Sequence, residues 1–219
     1  NIAGFARVFV GLAYATSLGY SANVDASAGA TVLGILGQDL TADPGITYSL
    51  STMFTGFGMP GSLGETSALL ILVGALYLFI RKSYDVFVPL TYLGTVFMIM
   101  LAVSLFHPVS PSLPLYYLLS GGLMFGAIYM ATDPVTMPIT RPGRIYYAFG
   151  LGVVTVLIRV FGNLPEGVVF AIVIMNMFAP AMDIPRFAKP KFTLKSSLIF
   201  SAVALIITFS IVLGVGYVI

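Results

Sequence analysis

Long apolar runs alternate with short polar connections along the chain. Because about 20 apolar residues cross a hydrocarbon layer of ~30 Å as a helix, each long run predicts a membrane span. His107 and Pro108 interrupt the longest run near its middle, and proline ends a helix, so that run divides into two helices. The pattern predicts about seven spans. The runs are residues 8–24, 66–80, 86–132, 145–161, 167–182 and 196–219.

The fold class that follows is an all-α integral membrane protein, a polytopic helical bundle forming a single transmembrane domain over residues 1–219. Asn1 already lies in a segment of helical pattern, so we expect the C-terminal part of a longer subunit. Residues 21–64 are rich in Gly, Ser, Thr and Ala and predict a loop, with a short apolar piece around 46–57. If this loop enters the membrane as a re-entrant segment, protein or a wet cavity must cover it.

Basic residues gather in alternate connections, which sets the predicted orientation. The connections 106–114 and 162–167 contain neither Lys nor Arg. By the positive-inside rule the basic connections are cytoplasmic, and the loop 21–64 is then outside. The basic residues are Arg81, Lys82, Arg141, Arg144, Arg186, Lys189, Lys191 and Lys195.

Composition narrows the function classes. The chain is 58% hydrophobic and 8% charged, whereas soluble domains are about 25% charged. A net charge of +2 is too small for a phosphate-tracking surface, so no nucleic-acid partner is expected. Without cysteine and with one histidine, the chain alone offers no thiolate zinc site or iron–sulfur cluster, and no metal site is predicted. A redox carrier here would be organic.

Two glycine patterns favour more than one interpretation. Residues 61–65 and 162–166 share Gly-x-Leu-x-Glu, and each opens an apolar run. Repeated halves are common in transporters, but Gly and Glu also suit ordinary helix starts. Gly122 and Gly126 form a Gly-x-x-x-Gly pattern, which favours close helix packing over ligand binding.

Four carboxylates at the ends of apolar runs are candidates for an ion pathway, because ionisable groups at membrane depth are costly and usually functional. The alternative is capping of helices and turns, as Asp133 before a proline suggests. Glu166 and Arg159 lie near the same end of their runs and are a predicted pair. The four candidates are Glu65, Asp133, Glu166 and Asp183.

Small residues around Thr31 leave its hydroxyl accessible, and here the chain resembles a known family. The segment Asp-Ala-Ser-Ala-Gly-Ala-Thr at 25–31 is similar to the Asp-x-x-Ser-Gly-Ala-Thr loop of the D subunit of the Rnf ferredoxin–NAD oxidoreductase complex. The B subunit of the sodium-pumping NADH–quinone oxidoreductase is a relative. Asp25 and Thr31 keep the spacing, while Ala28 stands where serine is usual and Ser27 lies beside it. Similarity continues through residues 1–14, 61–70, 120–136 and 154–183.

The resemblance implies FMN joined through its phosphate to Thr31, in a loop where Asp25, Ser27, Gly29 and Ala30 are the further cofactor-binding residues. It implies a non-autonomous subunit of an electron-transport complex in the cytoplasmic (inner) membrane of a prokaryote, with iron–sulfur and flavin subunits as partners. Electron transfer would be coupled to Na⁺ or H⁺ movement. A second, non-covalent flavin, the quinone-reductase assembly and a passive channel or solute transporter stay open as alternatives.

Overall fold

Helices make up all the regular structure in the part of the chain that a computed structural model describes. That part comprises residues 33, 40, 49–56, 67–81, 85–162, 167–183 and 194–216, with the backbone alone for 194–198. All of these residues belong to one compact unit, 31–219. The helices are α1 Leu50–Thr55, α2 Ala68–Ile80, α3 Phe87–Phe106, α4 Leu113–Leu119, α5 Leu123–Phe125 with a continuing π-helical turn Gly126–Met130, α6 Arg141–Phe161, α7 Val168–Met182 and α8 Leu194–Val215.

Within the described ranges two helices, α3 and α6, are long and apolar enough to cross a membrane. A third span results if α4 and α5 with its π-helical turn count as one helix, bent by 64°. Shorter apolar helices are Ala68–Ile80, Val168–Met182 and Ile199–Val215. An all-helical membrane protein is thereby confirmed, whereas the number of seven spans stays a prediction. The first predicted span, 8–24, lies outside the described residues.

Local sequence signals account for several helix boundaries. Ser67 caps α2, its hydroxyl accepting a hydrogen bond of 3.3 Å from the Leu70 amide. Thr140 caps α6 in the same way, through the Gly143 amide. The predicted break after residue 106 is present: α3 ends at Phe106, and α4 begins at Leu113 with a proline in its first turn. Inside the predicted loop 21–64, α1 occupies the short apolar piece.

A second break divides the run 86–132, and the sequence pattern did not predict it. Gly121 and Gly122 separate α4 from α5 with φ of 62° and 65°, a left-handed conformation that glycine adopts without steric cost. Gly122 is the N-cap of α5, and its carbonyl accepts a hydrogen bond of 2.7 Å from the Gly126 amide. Close helix packing at Gly122 stays a prediction. Gly126 does pack closely, because a Cβ there would collide with Val168 of α7.

Helix α6 packs between α3 and α7, and two of its glycines make this possible. A Cβ on Gly152 would lie 2.6 Å from the Thr95 side chain of α3, and one on Gly150 would collide with Met175 of α7. The close approach buries large side chains completely, among them Tyr92 and Tyr147. The outward side chains of α2 are mostly exposed apolar groups, as the lipid-facing side of a membrane helix requires.

Candidate functional site at a broken helix

We call the residues Ser120, Gly121 and Gly122, which separate α4 from α5, the break. Because the helix stops there, no amide N–H of a following turn bonds the last carbonyls of α4. The last carbonyls of any helix lack intrahelical partners. Away from water each must find another donor, since an unsatisfied backbone group costs several kcal/mol in hydrocarbon. The donor here comes from a different helix, 38 to 42 residues further along the chain.

Arg159, in the last turn of α6, supplies this donor. Its Nη1 donates to the Tyr117 carbonyl at 2.8 Å, and its Nη2 donates to the Ser120 and Gly121 carbonyls at 3.0 Å each. The guanidinium carbon lies 5.9 Å from the centroid of the Tyr117 ring, within cation–π range. Arg159 is only 5% exposed, so its charge is held inside the bundle. A cation in a last turn also complements the helix dipole.

Two further groups complete the surroundings of the break. Ser120 is 6% exposed, and its side-chain hydroxyl has no hydrogen-bond partner within the part of the chain that the structure describes. Leu33, which is 4% exposed, packs on Gly121, where a Cβ would collide with the leucine side chain and lie 3.2 Å from Arg159 Nη2. Leu33, two residues after Thr31 in the sequence, therefore reaches the break.

Two side-chain hydrogen bonds connect α6 to the neighbouring helices α3 and α7. The Tyr92 hydroxyl of α3 lies 2.6 Å from Thr155 Oγ1, and the Tyr147 hydroxyl donates to the Asn176 side chain of α7 at 2.6 Å. Each tyrosine hydroxyl thereby has a hydrogen-bond partner inside the bundle, where a lost partner is costly. The two contacts link α6 to α3 and to α7 by specific hydrogen bonds within a mostly apolar interior.

The opposite end of the bundle, which we name the charged end, holds the start of α6. Arg144 forms a 2.6 Å ion pair with Asp85, close to the start of α3, and also donates to the Pro138 carbonyl at 3.0 Å. The two charged side chains are 25% and 17% exposed. Two of the basic residues that set the predicted orientation, Arg141 and Arg144, lie in the first turn of α6.

Of the four predicted ion-pathway residues, Asp183 and Asp133 belong to the described chain. Asp183 accepts hydrogen bonds from the Ile139 and Thr140 amides at 2.9–3.1 Å and from the Thr140 hydroxyl at 2.9 Å. It thereby joins the end of α7 to the N-cap of α6. Asp133 accepts from the Val135 amide at 3.1 Å and from the Thr136 hydroxyl at 3.3 Å, the contacts of a turn. A part in ion movement stays a prediction for both.

The other predicted site residues lie outside the described residues. These are the loop residues Asp25, Ser27, Gly29, Ala30 and Thr31 and the carboxylates Glu65 and Glu166, so the predicted pair of Glu166 with Arg159 is also outside. In the described ranges no three His, Cys, Asp or Glu side chains come together as a metal site needs.

Sequence reasoning missed the role of Arg159 at the break, together with Ser120 and the Tyr92–Thr155 pair. The one available signal was the charge itself, because a lone arginine inside an apolar run needs polar partners in the membrane. Nothing local to residues 120–122 identified them as those partners.

A helical membrane protein with a broken helix closed by a buried arginine is the class that the fold and the site define. Comparison with known proteins makes this specific: the chain belongs to the NQR2, RnfD, RnfE family, whose model matches residues 1–193. The resemblance noted in the sequence is thereby confirmed.

Individual relatives are subunits of ion-translocating oxidoreductases. The chain is 40% identical to the D subunit of the ion-translocating oxidoreductase complex of Stutzerimonas stutzeri, over 76% of its own length and 48% of that protein. It is 38% identical to the D subunit of the proton-translocating ferredoxin:NAD(+) oxidoreductase complex of Clostridium ljungdahlii, over 78% and 52%. With the B subunit of the Na(+)-translocating NADH-quinone reductase of Chromohalobacter salexigens it shares 40% identity, over 73% and 40%. The chain thus spans about half the length of the curated relatives it matches.

Proposed function

We propose that this chain is part of a membrane subunit of an ion-translocating ferredoxin–NAD oxidoreductase complex in the prokaryotic cytoplasmic membrane. The observation that carries the proposal is the family match over residues 1–193, together with relatives whose names are those of such subunits. The chain would act only within its complex, beside iron–sulfur and flavin subunits, and would help to couple electron transfer to Na⁺ or H⁺ movement.

The proposed cofactor is FMN, joined through its phosphate to the hydroxyl of Thr31. Asp25, Ser27, Gly29 and Ala30 would form the loop recognised during attachment, and Asp25 and Thr31 keep the spacing of the family's loop. When bound, FMN transfers one or two electrons. A threonine phosphoester would hold the group through both redox states without any metal ligand. A second, non-covalent flavin between the helices belongs to the same proposal.

Leu33 is the residue nearest to Thr31 in sequence that the structure describes, and its position supports the proposed attachment site. It is buried against Gly121 at the break, and two peptide units span at most about 7 Å. A cofactor attached at Thr31 is therefore anchored within roughly that distance of the Leu33 backbone. The residues that position the loop would be Leu33 and Gly121, and the Arg159 guanidinium lies against the same glycine.

The ion pathway is proposed to use carboxylates at the ends of the spans, namely Glu65, Asp133, Glu166 and Asp183. Glu65 opens the run that follows the flavin loop. A reduced, more negative flavin within about one Debye length, ~8 Å, would favour cation binding at that carboxylate. Asp133 and Asp183 already accept backbone and hydroxyl hydrogen bonds.

The test of covalent flavin is the fluorescence of the denatured subunit. The full-length subunit is expressed in its native complex, denatured and separated on a gel under ultraviolet light. A fluorescent band is expected for the native chain and for Thr31→Ser, which keeps the hydroxyl, and none for Thr31→Val, which removes it. A fluorescent Thr31→Val band would contradict the site, and fluorescence lost only with Ser27→Ala would move it to Ser27.

A second candidate is the Na⁺-translocating NADH–quinone reductase assembly, which the 40% identity to the B subunit of that enzyme favours. The two assemblies differ in their electron partners. The purified complex should oxidise reduced ferredoxin with NAD⁺ as acceptor if the first proposal is right. Activity with NADH and a soluble quinone, and none with ferredoxin, would select the second. Absence of flavin together with passive solute flux would instead favour a channel or solute transporter.

A further inference from the structure

Oxygen atoms at the break converge on a single positive charge. Three backbone carbonyls, those of Tyr117, Ser120 and Gly121, lie 2.8–3.0 Å from guanidinium nitrogens of Arg159. They belong to the C-terminal end of α4 and to the unwound residues that follow it, the part of a helix that carries partial negative charge. In membrane transporters, unwound carbonyls and half-helix ends of this kind coordinate cations. Here the position of the cation is taken by a side chain.

Ser120 independently indicates a ligand site. The residue is only 6% exposed, and its hydroxyl makes no hydrogen bond within the described part of the chain. A buried unpartnered hydroxyl is costly, and such groups call for a specific explanation. Hydroxyl and carbonyl oxygens are both of the type that hard cations prefer.

We propose that the break is a binding site for a monovalent cation, that its resident cation is the guanidinium of Arg159, and that this tethered charge seals the broken helix against passive cation flow. The inference deepens the proposed function, on which it rests, by naming residues that handle charge at the break. A free cation can enter the site only when the guanidinium leaves it, because both need the same three carbonyls and repel each other.

Leu33 covers the site on the side of Gly121. Because Leu33 is only two residues from Thr31, a rearrangement of the loop around Thr31 would move the Leu33 side chain and so alter the packing at the seal. Arg159 is a positioning residue in this account: it holds the break closed and does not touch a reacting atom.

The experiment uses the full-length subunit in its assembled complex, reconstituted into vesicles without any electron donor. Na⁺ uptake is followed for native Arg159, for Arg159→Ala, and for Thr155→Val as a matched control that removes a buried hydrogen bond on the same helix without touching the break. Arg159→Ala is expected to take up Na⁺ about tenfold faster, the gain from lowering a barrier by one weak charge-assisted hydrogen bond. Thr155→Val is expected to stay as tight as the native complex.

Added guanidinium separates a lost seal from loose packing. Millimolar guanidinium chloride should refill the site and return the Arg159→Ala leak towards the native rate, whereas tetramethylammonium, which cannot donate hydrogen bonds, should not. A tight Arg159→Ala complex, equal leaks in Arg159→Ala and Thr155→Val, or a leak insensitive to guanidinium would each overturn the proposal.

A second variant covers failure of Arg159→Ala to assemble. Arg159→Lys keeps the charge but presents one compact ammonium to three carbonyls, so it should leak faster than the native complex and more slowly than the tenfold increase expected for Arg159→Ala. A native rate would overturn the proposal. Because no electron donor is present, the leak is independent of flavin content. A complex without flavin on Thr31 can therefore fail the function test and still give a clear result here.

Discussion

Two arginines of α6, Arg144 and Arg159, differ in solvent exposure and in the groups that they bind. Arg144 pairs with Asp85 at the charged end, where both side chains keep contact with solvent. Arg159 is 5% exposed and binds three backbone carbonyls at the break. Exposed ion pairs contribute about 0–1 kcal/mol because water and salt screen them. A buried charge gains more from each partner and costs more when one partner is lost.

The two ends of α6 therefore use a positive charge differently: Arg144, in the first turn, pairs with a carboxylate, and Arg159, in the last turn, binds the backbone of the break. At the charged end an arginine can be replaced by water as a partner for Asp85. At the break no water is needed, because the guanidinium itself completes the hydrogen bonds that α4 leaves open. The Arg144–Asp85 pair therefore makes a small contribution at the start of α6, whereas the Arg159 contacts hold the end of α6 against the end of α4.

The largest expected effect concerns the side of the membrane on which the two ends lie. Since the sequence contains no cysteine, single cysteines can be placed at Thr41, in the predicted outer loop, and at Thr136, an exposed residue of the connection before α6. An impermeant thiol reagent should label the first in intact cells and the second only after permeabilisation. The reverse pattern would invert the predicted orientation.

Substituting the two arginines tests the comparison itself. Arg159→Met should lower the free energy of unfolding by about 3 kcal/mol, since three carbonyls lose their donor. Arg144→Met should cost about 1 kcal/mol or less. Denaturant titration of the detergent-solubilised subunit, followed by far-ultraviolet circular dichroism, measures both. Equal losses for the two variants would mean that burial does not distinguish these arginines.

A smaller effect is expected at Asp183. Asp183→Ala removes the acceptor of two amides and of the Thr140 hydroxyl, which should cost about 1–2 kcal/mol, as for loss of a helix cap. Asp183→Asn keeps one oxygen and should recover part of the loss in the same titration. If both variants unfold like the native subunit, Asp183 does not secure the start of α6, and its predicted part in the ion pathway gains weight.

The boundaries that the sequence predicted are those set by neighbouring residues. Pro108 and its neighbours end α3 wherever the rest of the chain lies. Ser67 and Thr140 also act locally, as caps of α2 and α6, but the apolar runs did not identify them, and the run that begins at residue 145 misses the start of α6 at Arg141. The apolar runs alone predicted a helical membrane protein, and the family match confirms the resemblance carried by the segments around residues 120–136 and 154–183.

The break could not be predicted in this way. Ser120, Gly121 and Gly122 fit a straight membrane helix as well as a turn, because glycine is common in both. What decides between them is the guanidinium of Arg159, 38 residues beyond Gly121. The same holds for Tyr92 and Thr155, 63 residues apart, whose contact depends on how closely α3 and α6 pack.

Peptide mass spectrometry decides whether this chain carries FMN on Thr31. The full-length subunit is isolated from its native complex, digested, and the peptide containing Asp25 and Thr31 is fragmented. We expect this peptide to be heavier by the mass of FMN less one water, with the added mass located on Thr31. An unmodified peptide, or the same mass located on Ser27, would contradict it.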